Sequence, residues 1–534
     1  MPLSRNSERI LGITLDGWAG VLMLALTVTI FLIFSDQPLM GDASNYSYRS
    51  ARWMAEHGLS FIPSGEGRGE QAMGHPTLFY WLWAVAMRLL GDQLWVAHLL
   101  PCIATFLALL GCYKLGSHLG GDRLAGLLAS LGLAASPVFL MQSFRPLPDS
   151  ALVAAVAWSV YLYADGRFYA ALLVAAVAVC MREQGLMLVP AYLVAETAHG
   201  GWRRPCRLLA VLAPALVIVL NGLAFLAVNG YFFFGRHMGA PSFPGLHLLL
   251  GRLRHFGGYL LAGDFRWILA STCLALLLAG KGRKLSPLSL LILLAPALLR
   301  PPQRLAYLAV CGLAIGWILL RRKALPSRGW LASILVPLFV LTFLVLISCF
   351  NADPRQQTLF RYSIAALPLV ITGFVAAIRK VSDRSVLAVS GLLFVLATLY
   401  ANGMPTSRTQ AYSSLNGTRL PLLVERAGKW AAERGDSVIC APYWVGHLRN
   451  PALGCVQRPL PTRGYRPGGS PPQPGVSYAA FIETSHPVES GLLDSLLAVV
   501  PEGSKARLDS VFRSGQFRLQ GILIRPGEPE GYSE

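Results

Sequence analysis

A few charged side chains stand out against an apolar chain. Asp42 lies in "MGDASNYSYRSARW", with Tyr46 four residues on. His75 precedes Pro76. Arg145 and Asp149 share "RPLPDS", Arg182 and Glu183 interrupt an apolar run in "MREQG", and Arg361-Tyr362 close "NADPRQQTLFRY". A carboxylate in hydrogen-bond reach can take the proton of an attacking hydroxyl. An arginine presents a planar fork of donors that fits a phosphate or another oxyanion. Such residues suit group transfer to a hydroxyl with an anionic leaving group, provided the fold gathers them.

The elements that must gather them are membrane helices. The 534 residues are 54% hydrophobic and only 14% charged, with a mean hydropathy of +0.51. Soluble chains carry about a quarter charged residues. Apolar runs near crossing length recur from Gly17 to about Tyr400. The pattern predicts thirteen spans, at 17–34, 95–113, 123–142, 150–164, 168–181, 184–196, 207–229, 259–279, 285–299, 304–320, 330–349, 362–378 and 385–401. The basic start "MPLSRNSERI" has no small-residue cleavage site after it before Asp36, so the first run reads as a retained span.

The net charge of +19 does not point to nucleic acid. Much of it sits in short clusters: Arg203, Arg204 and Arg207; Lys281, Arg283 and Lys284; Arg321, Arg322 and Lys323; Arg379 and Lys380. That is the positive-inside pattern. The apolar stretch 76–90 is short and carries Phe79, Tyr80, Trp81 and Trp83, so it reads as an interfacial helix, not a crossing. With the N-terminus in the cytoplasm, this choice puts all four clusters inside. It puts Asp42, Arg145, Asp149, Arg182 and Arg361 outside. Arg182-Glu183 then reads as a polar turn between two short spans, the alternative being a buried pair. Arg252 and Arg254 read as solvated charge.

After Tyr400 the composition changes. Residues 416–435 read as a helix, "SVICA" and "VSYAAFIE" as strands, 458–474 as loop, 488–500 as a helix, and Ser514-Gly515 as the centre of a hairpin. The fold class expected is an α-helical polytopic membrane protein with a small C-terminal α/β extracytoplasmic domain. The domains are a transmembrane module at 1–402, with a first external loop at 35–94, and the α/β domain at 403–534. Nine cysteines show no CxxC and no zinc-type spacing. Cys440 and Cys455 could pair in an oxidising compartment, which the sequence leaves open.

Several motifs lie in order along residues 17–400: Asp42 with Tyr46, "ARWMAEHGLSFIP", "HPTLFYWLWAVAMRLLG", "RPLPDSAL", "MREQGLMLVP" and "FRYSIAALPLV". Together they resemble type C (GT-C) glycosyltransferases, with protein O-mannosyltransferases and the lipid A aminoarabinose transferases as the closest groups. The resemblance implies an enzyme that takes a sugar from a polyprenyl-phosphate donor. The sugar passes, with inversion, to a glycan, lipid or protein acceptor at the outer face of the cytoplasmic membrane. It implies Asp42 as general base or acceptor-orienting group, with Asp149 as the second catalytic carboxylate. Arg182, Arg361, Arg145 and His75 would bind the donor phosphate, and Tyr46 and Tyr362 the substrates. It names no certain cofactor and leaves a divalent metal open, which would rest on Asp42 and Asp149. The chain departs from the family at Ala43, where Glu is common, and at His75-Pro76-Thr77, where a basic residue and two prolines are common. The "WWDYG" signature of oligosaccharyltransferases is absent.

Plainer readings compete. From position alone, Asp42 and Asp149 are helix N-caps. The resemblance turns Asp42 towards chemistry and leaves Asp149 open. A transporter or flippase of a lipid-linked sugar would show charges deep in several spans and repeat symmetry; the sequence shows only the Arg182 region and no repeat. A membrane scaffold would leave the long first loop and the outward arginines without a use.

Overall fold

The computed structural model describes residues 9–10, 13–39, 41–63, 75–230, 232, 245–279, 327–350, 360–403, 419–434, 437–440, 449, 451–453, 455–457, 459–464, 477–483, 496, 504–514 and 517–526. The expected spans 285–299 and 304–320 and the expected helix 488–500 lie outside or almost wholly outside these residues.

The chain is mostly helical. Helix α1 (Leu15–Phe34) is followed by two short helices, α2 (Tyr48–Glu56) and α3 (Leu78–Leu90). Then come α4 (Leu94–Gly120), α5 (Arg123–Ala135), α6 (Pro137–Gln142), α7 (Asp149–Ala164), α8 (Phe168–Met181) and α9 (Leu188–Ala198). Next are α10 (Pro205–Val211), α11 (Ala213–Asn229), α12 (Gly245–Ala262), α13 (Trp267–Ala279), α14 (Arg328–Phe350), α15 (Leu367–Val381) and α16 (Arg384–Gly403). Among the described residues, four helices are long and apolar enough to cross a bilayer, and the bent pair α10–α11 makes a fifth. This is a helical, multi-pass membrane protein.

Helix α4 is the hub, packing on α1, α5, α7 and α15. Small residues let the helices approach closely. A Cβ on Gly126 of α5 would lie 2.4 Å from the Tyr113 carbonyl oxygen of α4.

Several span boundaries differ from expectation, four of them with a local cause. Helix α4 runs on to Gly120 and stops at Gly121, which is left-handed (φ +65°). The run 123–142 breaks at Ser136, held extended by the following Pro137. The run 184–196 opens as a 3-10 turn at Glu183–Met187, leaving α9 only 11 residues. The run 259–279 breaks at Gly263–Phe265, where Asp264 and Phe265 have φ of 48° and 61°. Buried Arg266 stabilises that break by donating to the Leu260 carbonyl at 2.9 Å and to Asp264 at 3.0 Å. Arg252, read as solvated, is buried.

The first loop forms a layer of its own. α2 buries Tyr48, Ala51, Trp53 and Met54, and α3 buries Phe79, Tyr80, Trp83 and Met87, in one shared cluster. Trp53 is core and stacks on His57 at 4.2 Å.

The C-terminal part holds helix α17 (Arg419–Arg434) and strands β1 (Ser437–Cys440), β2 (Thr462–Gly464), β3 (Tyr478–Glu483), β4 (Ser504–Ser514) and β5 (Phe517–Pro526). The sheet order is β2-β1-β3-β5-β4. β1 pairs parallel with β2 and β3, while β5 runs antiparallel to β3 and β4. Residues 462–464, expected as loop, are thus an edge strand. Cys440 and Cys455 are buried, unpaired thiols.

Candidate active site

Four separate elements deliver the charged side chains. Asp42 follows Gly41, which turns the chain at φ +65°, and precedes a short π-helical turn at Ala43–Ser47. Asp149 is the first residue of α7, started by the prolines of "RPLPDS". Arg182 is extended (φ −161°, ψ 144°) where α8 ends. The chain then folds back as the 3-10 turn carrying Glu183. Gly185 permits this: a Cβ there would lie 2.4 Å from the Ala178 carbonyl carbon. Arg361 and Tyr362 sit on the 3-10 turn Phe360–Ala366 that leads into α15.

These elements converge. Arg361 Nη2 donates to Asp42 Oδ2, and Arg182 Nη1 donates to Asp149 Oδ1. The Tyr362 ring lies between the two guanidiniums, 4.8 Å from Arg182 and 5.2 Å from Arg361. Arg361 Nη2 also faces the Tyr362 hydroxyl at 3.4 Å. His75 Nδ1 meets Glu183 Oε2 at 3.2 Å. Neither aspartate accepts a capping hydrogen bond from the helical turn it adjoins. Arg182 and Glu183 do not pair with each other; each faces a distant partner.

Burial differs across the set. Asp149 is 0% exposed, and Arg182, Glu183 and Arg361 are also buried. The Asp42 side chain keeps 40% of its surface open, so it is the solvent-facing carboxylate of the group. Burial pushes the Asp42 carboxyl up, but the charge and hydrogen bond of Arg361, with Arg182 and His75 behind them, hold it below the usual range. Burial opposes ionisation of Glu183 too, yet His75 and then Arg182 take it down to about 2. Burial and the Asp42 charge push the Tyr46 phenol up.

Two polar atoms of the cluster are buried without a hydrogen-bond partner among the described residues: Arg361 Nε and Asp149 Oδ2. Buried polar groups are seldom left so, and here they mark donor and acceptor capacity open to a ligand. Beside the cluster lies an apolar cavity of about 330 Å³, lined by Pro76, Thr77, Val179, Cys180, Ile218 and Asn221. The Thr77 hydroxyl and the Asn221 carbonyl oxygen are also buried there without a partner among the described residues.

The structure thus brings Asp42, Asp149, Arg182, Arg361 and Tyr362 together and links His75 to them through Glu183. Tyr46 stands beside Asp42. Arg145 lies to one side, half-buried, lining a small cavity with Gln37, Leu39, Ala43 and His98. Glu183 was missed as a partner of His75: the two are 108 residues apart. The available signal was that a carboxylate in an apolar run needs a base nearby. Among the described residues, no three His, Cys, Asp or Glu side chains gather as metal ligands. Asp42 and Asp149 each face an arginine instead.

No curated protein matches the chain in sequence. Among solved structures, ArnT from Cupriavidus metallidurans bound to undecaprenyl phosphate aligns at 17% identity over 95% of this chain and 98% of that one, with a TM-score of 0.41. Its apo state aligns over the same shares at 16% identity and a TM-score of 0.40. The Archaeoglobus fulgidus oligosaccharyltransferase, in complex with zinc and sulfate, aligns at 15% identity over 82% of this chain and 61% of that one, with a TM-score of 0.38. Residues 74–226, the stretch that carries His75, Arg145, Asp149, Arg182 and Glu183, match the model of the dolichyl-phosphate-mannose-protein mannosyltransferase family, and the resemblance to GT-C glycosyltransferases is met again there.

Proposed function

We propose that this protein is an inverting glycosyltransferase that moves a sugar from a polyprenyl-phosphate donor to an acceptor hydroxyl at the outer face of the cytoplasmic membrane. The observation that carries the reading is the meeting of two carboxylate–arginine pairs, from four elements, around the Tyr362 ring. One of the two carboxylates is open to solvent. The donor class named by the matched family supports it.

The residues divide the work. The acceptor oxygen attacks the anomeric carbon opposite the phosphate, forming one C–O bond as the bond to phosphate oxygen breaks. Asp42 takes the hydroxyl proton. The lipid phosphate leaves with the electron pair and meets the buried guanidiniums of Arg361 and Arg182. Arg361 already holds Asp42, so the arriving phosphate competes for it. As Arg361 turns to phosphate, Asp42 loses the contact that weakens it as a base. Asp149 keeps Arg182 charged and aimed. The apolar cavity next to Thr77 and Cys180 suits the start of the prenyl tail. Thirteen spans, a cytoplasmic N-terminus and an extracytoplasmic domain at 403–534 complete the arrangement. Tyr46 faces the acceptor side, and Arg145 and His75 support the donor side.

The test is transfer by purified protein in liposomes holding lipid-linked sugar. Asp42→Asn should stay folded and lose transfer by about 10²- to 10⁴-fold. Full activity of that variant, or movement of lipid-linked sugar across the bilayer without transfer by the unaltered protein, would overturn the proposal.

A further inference from the structure

Asp42 differs from the other charged residues of the site in how it is held. Asp149 and Arg182 stand at helix ends, and Arg361 on a turn packed against α6, α7, α12, α14 and α15. Asp42 stands between α1 and the first-loop layer, flanked by the described residues 37–39 and 41–44. The Gln37 carbonyl faces buried His98 Nε2 at 2.8 Å, and Ser44 Oγ donates to the Gly41 carbonyl at 3.0 Å. Another tie comes from far along the chain: the Leu39 N–H donates to the Leu453 carbonyl at 2.8 Å.

Leu453 belongs to the C-terminal unit. It ends the turn Pro451–Leu453, is 5% exposed, and joins the cluster of Leu39, Tyr48, Trp53, Tyr80 and Trp83. The turn is itself fastened to the sheet. Arg449 donates from Nε to Thr462 Oγ1 at 2.8 Å and from Nη2 to the Thr462 carbonyl at 2.5 Å. Thr462 opens β2, the edge strand. The sheet edge thus holds Arg449 through Thr462, and Leu453, four residues further along the chain, holds Leu39, three residues before Asp42.

We infer that the turn 451–453 is a positioning arm: the C-terminal domain sets the place of Asp42 against Arg361, with Arg449 and Leu453 as positioning residues. The inference rests on the base role proposed for Asp42. Displacing a reacting group by about 1 Å can cost on the order of a hundredfold in rate. An arm that holds the base should act on turnover without weakening donor affinity, because Arg361 and Arg182 stand on elements of their own.

The test uses full-length Leu453→Ala and Arg449→Ala in the transfer assay, with Asp42→Asn alongside. The expected result is kcat lower by about ten- to a hundredfold, a KM for donor that does not rise, since Asp42 then competes less for Arg361, and an acid limb of kcat/KM moved to higher pH as Asp42 loosens from Arg361. Arg449→Lys, which can still donate to one Thr462 oxygen, should fall between. If Leu453→Ala does not accumulate, Arg449→Ala carries the test, since its bonds to Thr462 stay within the C-terminal unit. Wild-type kcat and acid limb in folded Arg449→Ala, with Asp42→Asn inactive, would overturn this inference alone. A fully active Asp42→Asn would remove the proposed base, and this inference with it.

Discussion

At the scale of residues, the cluster shows how charge is kept in an apolar setting. An isolated buried charge is costly, and removing one partner of a buried pair costs about 3–5 kcal/mol because the other is left uncompensated. Asp149→Ala strands Arg182 in this way, so a loss of that order in unfolding free energy is expected. The double variant Asp149→Ala/Arg182→Ala should be less damaged in stability than the sum of the singles, as a double-mutant cycle would show. The solvent-open carboxylate makes a pH prediction. The Asp42 carboxyl is held below the usual range, so a base function is lost only as pH falls below that range. Arg361→Ala leaves burial opposed only by weaker partners. The acid limb of kcat/KM, which reports the donor-free enzyme, should then move to higher pH. Glu183 ionises at about 2 against an ordinary 4.5. Its contribution to stability is therefore full above 4.5 and lost as pH falls towards 2. His75→Ala removes the main opposing influence, so thermal unfolding of that variant should become acid-sensitive at a higher pH than in the unaltered protein.

At the scale of elements, the turn after α8 decides the site. Arg182 and Glu183 point at different partners because the chain folds back against Ala178 and Val179 straight after them. Gly185→Ala would put a Cβ 2.4–2.6 Å from backbone atoms of those two residues, with no flexible side chain to give way. The turn must shift, taking both charges with it, at a cost of about 1–3 kcal/mol. Transfer should fall by more than the loss of folded protein explains, measured as activity per folded molecule. The breaks at Ser136 and at Gly263–Phe265 follow the same logic. Pro137 and the buried Arg266 interrupt apolar runs that hydropathy alone reads as continuous.

At the scale of the whole molecule, the proposed topology sets the first loop and the α15–α16 connection on opposite sides of the membrane. Glu56 and Ser385 are exposed at these two places. In a Cys206→Ser background, which removes an exposed thiol, Glu56→Cys should react with an impermeant maleimide in sealed right-side-out vesicles. Ser385→Cys should react only after permeabilisation. Labelling of both from one side would overturn the thirteen-span arrangement.

The sequence by itself determined the class of molecule. Composition, apolar runs and clustered Lys/Arg are summed along the chain, and each needs no partner to be read. It also singled out Asp42, Asp149, Arg182 and Arg361, because a charge beside or within an apolar run calls for a reason. What it could not decide was who faces whom. Arg182-Glu183 reads as a polar turn, with a buried pair as the alternative, and neither reading shows that Arg182 turns to Asp149 and Glu183 to His75. The Arg361–Asp42 contact joins positions 319 apart, and the tie of Leu39 to Leu453 is made by backbone atoms that every sequence possesses. Side-chain type is local information, whereas pairing depends on how several helix ends pack at one place, and only the tertiary structure supplies that.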